Sequence, residues 1–209
     1  MRIAIIGGTF DPIHNGHLAA AESVASTFQV DEVHFVPAFS PPHKQSVEIT
    51  SPFHRFAMVA LATMPFERFR PSTIEVDAFE KRYSVDTLEL MRRIYPGAEL
   101  LFVIGTDMFQ EIHKWKDYRR LFELAHIVVI NRPGFPLRHD LMPLQIVRAN
   151  EPVVVLPEKN SVFYLPFVEQ PISSTEIRKS IGTRDGIGAP TPWVPPQVWS
   201  YIEKNHLYS

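Results

Sequence analysis

The chain has 209 residues, with no cysteine, 19 prolines and only 9 glycines. Lys+Arg 21 against Asp+Glu 23 leaves a formal charge of −2, which argues against a broad nucleic-acid or membrane footprint. Without cysteine there are no disulfides, thiolate metal sites or cysteine nucleophile. With no signal-peptide core and no membrane-length apolar run, the expectation is a cytoplasmic protein.

Taken in chain order, the apolar run Ile3–Ile6 predicts a buried strand, and Leu18, Ala21, Ala25 and Phe28 predict a helix after it. A second strand follows at Val33–Val36 and runs into a loop stiffened by Pro37, Pro41 and Pro42. Ser51 and Pro52 read as a helix start, with Phe53, Phe56, Ala60 and Met64 repeating at helical spacing. A further helix is predicted from about Ser84 to Tyr95, stopped by Pro96-Gly97. Leu100–Ile104 and Ile127–Ile130 are the remaining clear strands.

The stretch from Arg138 to Leu165 reads as long loops with one or two short strands, and Pro190, Pro192, Pro195 and Pro196 separate the last two helices. Near-continuous apolar strands alternating with helices predict an α/β fold. Its architecture would be a Rossmann-like doubly wound parallel sheet, with helices on both faces and a C-terminal helical segment.

The first strand leads directly into Gly7-Gly8-Thr9-Phe10-Asp11-Pro12-Ile13-His14-Asn15-Gly16-His17. Ligands of open α/β sheets bind beyond the C-terminal strand ends, and a helix N-terminus there favours phosphate. Gly7 and Gly8 allow close backbone approach. His14 and His17 can face one anion if the helix begins between them. Thr9 stands where a dinucleotide fingerprint needs its second glycine, and no P-loop Gly-Lys-Ser/Thr occurs. Near the other end, Ile172-Ser173-Ser174-Thr175-Glu176-Ile177-Arg178 reads as a helix start with a capping box, Ser173 with Glu176. Arg178 follows one turn later, a guanidinium suited to phosphate oxygens.

The first run resembles the signature of the nucleotidyltransferase superfamily, and ISSTEIR is similar to its I-S-[ST]-T-x-I-R segment. The resemblance implies a single nucleotidyltransferase domain over residues 1–209, with a C-terminal helical part at about 173–209. It implies ATP contacts from Gly7, Gly8, Thr9, Phe10, His17, Ser173, Ser174, Thr175 and Arg178. Cytidylyltransferases, pantetheine-phosphate adenylyltransferases and pyridine-nucleotide adenylyltransferases share versions of the motif, so it does not choose a substrate.

Further segments resemble bacterial nicotinate-nucleotide adenylyltransferases over nearly the whole chain. In that family a loop like Pro41-Pro42-His43-Lys44 binds substrate phosphate, which implies His43 and Lys44 as contacts to nicotinate mononucleotide. The family's glycine and aspartate of Ile104-Gly105-Thr106-Asp107-Met108 contact adenosine, implying Gly105 and Asp107. Asn131-Arg132-Pro133-Gly134-Phe135 matches its R-P-G-[FY] turn, implying Arg132 as a nucleotide contact. Trp115 would stack on the pyridine ring, with backbone N–H groups near Lys116 and Ser84 taking the nicotinate carboxylate. Arg82-Tyr83-Ser84 stands where the family more often has Ser-Tyr-Thr, so a hydroxyl contact there could shift. A plainer reading of Trp115 is core packing, and of Pro41–Lys44 a stiff surface loop.

The implied reaction transfers the adenylyl group of ATP to nicotinate mononucleotide, giving deamido-NAD and pyrophosphate. His14, His17, Lys44 and Arg178 are the candidate catalytic groups. Magnesium is expected with ATP, and no protein ligand for it is identified. Alternatives are another phosphate acceptor, nicotinamide mononucleotide or phosphopantetheine, or a non-catalytic nucleotide sensor. A homo-oligomer is left open.

Overall fold

The computed structural model describes residues 1–40, 49–131, 135, 145–146, 151–152, 155–166, 172–182 and 191–209. Its first half comprises β1 (Arg2–Gly8), α1 (Asn15–Phe28), β2 (Glu32–Pro37), α2 (Pro52–Thr63) and β3 (Phe69–Pro71). Next come α3 (Ser84–Ile94), β4 (Glu99–Gly105), α4 (Thr106–Gln110), a 3-10 turn at Ile112–Lys114, α5 (Tyr118–Leu124) and β5 (His126–Ile130). The rest comprises β6 (Gln145–Ile146), β7 (Val162–Leu165), α6 (Ser174–Gly182) and α7 (Pro196–Lys204). The strands form one sheet in the order β3-β2-β1-β4-β5-β7-β6, with every neighbouring pair parallel.

The sheet is buried on both faces because the central strands β1, β4 and β5 are apolar on both faces through their middles. Along β1, Ala4 and Ile6 pack with residues of α1, α2 and α7. Ile3 and Ile5 point to the other face, against Val85, Leu88 and Met91 of α3 and Leu121 of α5. All four predicted strands and the helix ending before Pro96-Gly97 form as expected. Gly97 makes the turn with φ +81, a left-handed conformation that glycine adopts without cost. β6 and β7 supply the two short strands expected in the Arg138–Leu165 stretch. β3, α4 and α5 were not predicted; each is short, with three, five and seven residues, too few for its pattern to repeat clearly.

α2 begins where expected, with Ser51 as N-cap and Pro52 in the first turn. The apolar stripe that marks it, however, is not the face it buries. Phe53 and Met64 are 55% and 71% exposed, whereas Arg55, Met58, Val59 and Ala62 are fully buried. The helix is turned by Arg55, whose guanidinium has work to do inside.

The chain runs outward from β1 in one direction through β2 and β3, then in the other through β4 and β5. The strand order therefore reverses between β1 and β4, and the crevice at their C-terminal ends is where such sheets bind ligands. Gly8 lies in register with Pro37, and Gly105 with Ile130, along this edge.

Candidate active site

α1 starts at Asn15 with His14 as N-cap, so the helix does begin between the two histidines. Their rings stack, centroids 3.7 Å apart and 30° between planes. The His14 backbone N–H donates to His17 Nδ1 at 3.2 Å. That bond needs the Nδ1 lone pair, so the neutral His17 ring carries its proton on Nε2, as a donor. Phe10, expected among the ATP contacts, is only 2% exposed. Its ring packs on Phe35 and His17, so any ligand contact there is made by backbone. A Cβ on Gly8 would sit 2.9 Å from the Phe10 ring, whereas one on Gly7 meets nothing within 4 Å. A side chain at Gly8 would thus crowd the packed Phe10 ring, while the space over Gly7 is open.

α6 carries the expected capping box. The Ser173 N–H and hydroxyl both donate to Glu176 Oε2, at 3.0 and 2.9 Å, and the Glu176 N–H donates to Ser173 Oγ at 3.2 Å. The two phosphate motifs, more than 150 residues apart, meet here: Ser174 Oγ donates to the Pro12 carbonyl at 2.9 Å and Arg178 Nη1 to the Asp11 carbonyl at 2.6 Å. Thr9 is half-buried and Thr175 exposed. One cleft edge thus holds a helix N-terminus, a histidine pair and a guanidinium, a combination suited to phosphate oxygens.

Along the same edge, Gly105 is the N-cap of α4 and Asp107 lies in its first turn. Beyond it, Lys116 Nζ bridges to Asp86 at 3.0 Å and lies 5.0 Å from the Tyr83 ring centroid. Asp86 in turn accepts the Tyr83 N–H at 3.3 Å. This ion pair brings Lys116 beside the N-terminus of α3, where Ser84 is the first residue. Trp115 is half-buried, edge-on to Phe102 at 6.3 Å. Its buried Nε1 has no hydrogen-bond partner among the described residues. His43, Lys44 and Arg132 lie outside the described residues.

The sequence reading missed three residues that hold the phosphate turn in place. Arg55, fully buried, donates to four carbonyls: Thr50 at 2.8 Å, Thr9 at 2.8 Å, Ala38 at 2.7 Å and Phe39 at 3.1 Å. Asp11, 2% exposed, accepts the Tyr208 hydroxyl at 2.7 Å and the Thr50 N–H at 3.4 Å. The only sequence signal was an arginine at helical spacing with Met58, Val59 and Ala62. Asp11 and Tyr208, 197 positions apart, had none. Among the described residues no three His, Asp or Glu side chains cluster as a metal ion would need. No described helix is long and apolar enough to cross a membrane.

The cytidylyltransferase-like family model matches residues 5–180. A probable nicotinate-nucleotide adenylyltransferase of Clavibacter michiganensis is 42% identical over 209 residues, covering 100% of this chain and 94% of that one. The chain belongs to the nicotinate-nucleotide adenylyltransferase family. Its relative in Frankia alni is 41% identical over 204 residues, 97% of this chain and 98% of the relative. The fold matches that of Plasmodium falciparum nicotinic acid mononucleotide adenylyltransferase complexed with NaAD, at 20% identity and a TM-score of 0.75, covering 99% of this chain and 97% of that one.

Proposed function

We propose that this nicotinate-nucleotide adenylyltransferase joins ATP and nicotinate mononucleotide into deamido-NAD and pyrophosphate, a step of NAD biosynthesis. The observation that carries this reading is the union of the two phosphate motifs through Arg178, Ser174 and the Asp11–Pro12 backbone.

In the reaction the 5′-phosphate oxygen of the mononucleotide attacks the α-phosphorus of ATP. The bond from that phosphorus to the bridging oxygen breaks, and pyrophosphate leaves with the electron pair. The attacking phosphate is ionised at neutral pH, so no side chain must act as base. Catalysis then consists of positioning and of stabilising charge on the leaving group. His17 Nε2–H, His14, Arg178 and Lys44 are assigned to that charge, with Thr9, Ser173, Ser174 and Thr175 holding phosphates. Gly7, Gly8 and the Phe10 backbone line the approach. Gly105, Asp107 and Arg132 are assigned to the adenosine side.

His43 and Lys44 are assigned to the mononucleotide phosphate, Trp115 to the pyridine face, and the backbone near Ser84 and Lys116 to its carboxylate. Magnesium would accompany ATP and offset charge on its phosphates; among the described residues no three His, Asp or Glu side chains gather to hold it. The same proposal places the chain in the cytoplasm, as one nucleotidyltransferase domain.

The test is pyrophosphate release from ATP with nicotinate mononucleotide, nicotinamide mononucleotide or phosphopantetheine supplied in turn. Release is expected to be fastest with nicotinate mononucleotide. Equal kcat/KM for the two pyridine mononucleotides overturns the nicotinate assignment, and no release with any acceptor overturns the enzyme.

A further inference from the structure

The carboxylate of Asp11, within the first phosphate motif, is buried, and its donors come from far along the chain. Oδ1 accepts the Tyr208 hydroxyl at 2.7 Å. Oδ2 accepts the Thr50 N–H at 3.4 Å and lies 3.9 Å from Arg178 Nη1. That same Nη1 donates instead to the Asp11 main-chain oxygen at 2.6 Å. The guanidinium therefore makes a long ion pair with the buried carboxylate, while its hydrogen bond goes to the main-chain oxygen.

A buried carboxylate oxygen that loses its donor takes another wherever one is in reach. The mobile donors nearest Asp11 are the Arg178 guanidinium, 3.9 Å from Oδ2, and the Thr50 hydroxyl, which bonds Tyr208; of the two only Arg178 carries a charge.

The placing of Tyr208 is itself specific. His206 and Tyr208 both adopt left-handed backbone conformations, φ +50 and +67. Residues with a Cβ hold that region only where surrounding contacts over-determine it. The bend lays Tyr208 against the core cluster that includes Met58. Burial and the Asp11 charge push its phenol well above the ordinary range, so it stays a donor.

We propose that Tyr208 is a positioning residue for adenylyl transfer: its hydroxyl satisfies Asp11, and thereby keeps the Arg178 guanidinium directed at the nucleotide phosphates rather than at the carboxylate.

The inference rests on the adenylyl-transfer reading above, and pyrophosphate release by the parent chain tests that reading separately. Tyr208→Phe removes only the hydroxyl. The expected result is a fall in kcat of roughly tenfold, the size of one charge-assisted hydrogen bond, with KM for nicotinate mononucleotide unchanged. In an Arg178→Ala background the same substitution should lower kcat less than about twofold, because the group it positions is gone. Any loss of Tm should be equal in both backgrounds, which a purely structural role would also give; the kcat pattern it would not.

A parent-like kcat for Tyr208→Phe overturns the proposal, as does an undiminished loss in the Arg178→Ala background. Should Tyr208→Phe not fold alone, it is measured in an Asp11→Asn background, which removes the charge that would capture Arg178; there it should lower kcat less than about twofold. A full loss of about tenfold in that background overturns the proposal.

Discussion

The two ends of the cleft are built on different principles. At the phosphate end, residues 9–12 are held by α2, α6 and Tyr208 through buried polar contacts from Arg55, Ser174, Arg178 and Tyr208. At the end proposed for the pyridine ring, Lys116, Asp86 and Tyr83 meet through exposed groups. Buried, fully partnered polar groups are rigid and expensive to disturb, whereas exposed ion pairs contribute little. On the proposed assignment, the phosphate end is preorganised for the charge that moves during reaction, and the pyridine end is free to adjust to a ring.

The most severe way to break this contrast is Arg55→Met. It leaves the carbonyls of Thr9, Ala38, Phe39 and Thr50 without the donor that now serves them. The expected loss is about 3–5 kcal/mol of stability, read as a lowered urea midpoint. Arg55→Lys should recover only part of it, because an ammonium cannot span four acceptors from one point. A loss below about 1 kcal/mol would show that the phosphate end is no better braced than the surface.

His17→Ala tests the same end through chemistry. It removes one preorganised donor and should slow turnover about 10²–10³-fold. The cap bond to His14 goes as well, so circular dichroism and Tm must accompany the rate. A folded variant turning over near the parent rate removes His17 from the catalytic assignment.

What could be read in the sequence divides along similar lines. The strands Ile3–Ile6, Val33–Val36, Leu100–Ile104 and Ile127–Ile130 were legible because both faces of the sheet are covered. The α6 capping box was legible because Ser173 and Glu176 are three residues apart. α2 was placed correctly but turned the wrong way, since a pattern of apolar residues cannot anticipate a buried arginine. Phe53 instead rests at the surface, 6.1 Å from Phe79. β3 was hidden because its three residues include Arg70 and Pro71. The Asp11–Tyr208 contact was illegible in principle, for no local pattern links residues at opposite ends of the chain. The motif marks the place proposed for phosphate, and the structure shows what holds that segment in place.

A smaller effect is expected beneath α3, between the two ends. Burial pushes the Glu75 carboxyl up to about 7 from an ordinary 4.5, partly countered by the Thr87 hydroxyl that donates to it at 2.6 Å. The folded chain therefore keeps a proton between about pH 4.5 and 7 that the unfolded chain has released. Stability falls as pH rises through that window and is level on either side. Glu75→Gln abolishes the dependence. It should gain about 1–3 kcal/mol over the parent on going from pH 4.5 to pH 8, measured by denaturant melts. Parallel pH curves would mean that Glu75 is solvated like the pyridine end.

The smallest effect belongs to Asp86, and its sign is the informative part. Asp86 accepts the Tyr83 N–H at the start of α3 and pairs with Lys116, so it occupies with negative charge the place proposed for the nicotinate carboxylate. Asn at this position still offers an oxygen to the Tyr83 N–H, which preserves the helix start. It also releases Lys116 and removes the repulsion between two anions. Asp86→Asn should therefore bind nicotinate mononucleotide about two- to five-fold more tightly at low salt, the gain fading as salt screens the charges. Nicotinamide mononucleotide, with no carboxylate to repel, should be unaffected. Weaker binding of the nicotinate form would reverse the picture, making Asp86 the residue that holds Lys116 in its working position. The pyridine end would then be as preorganised as the phosphate end.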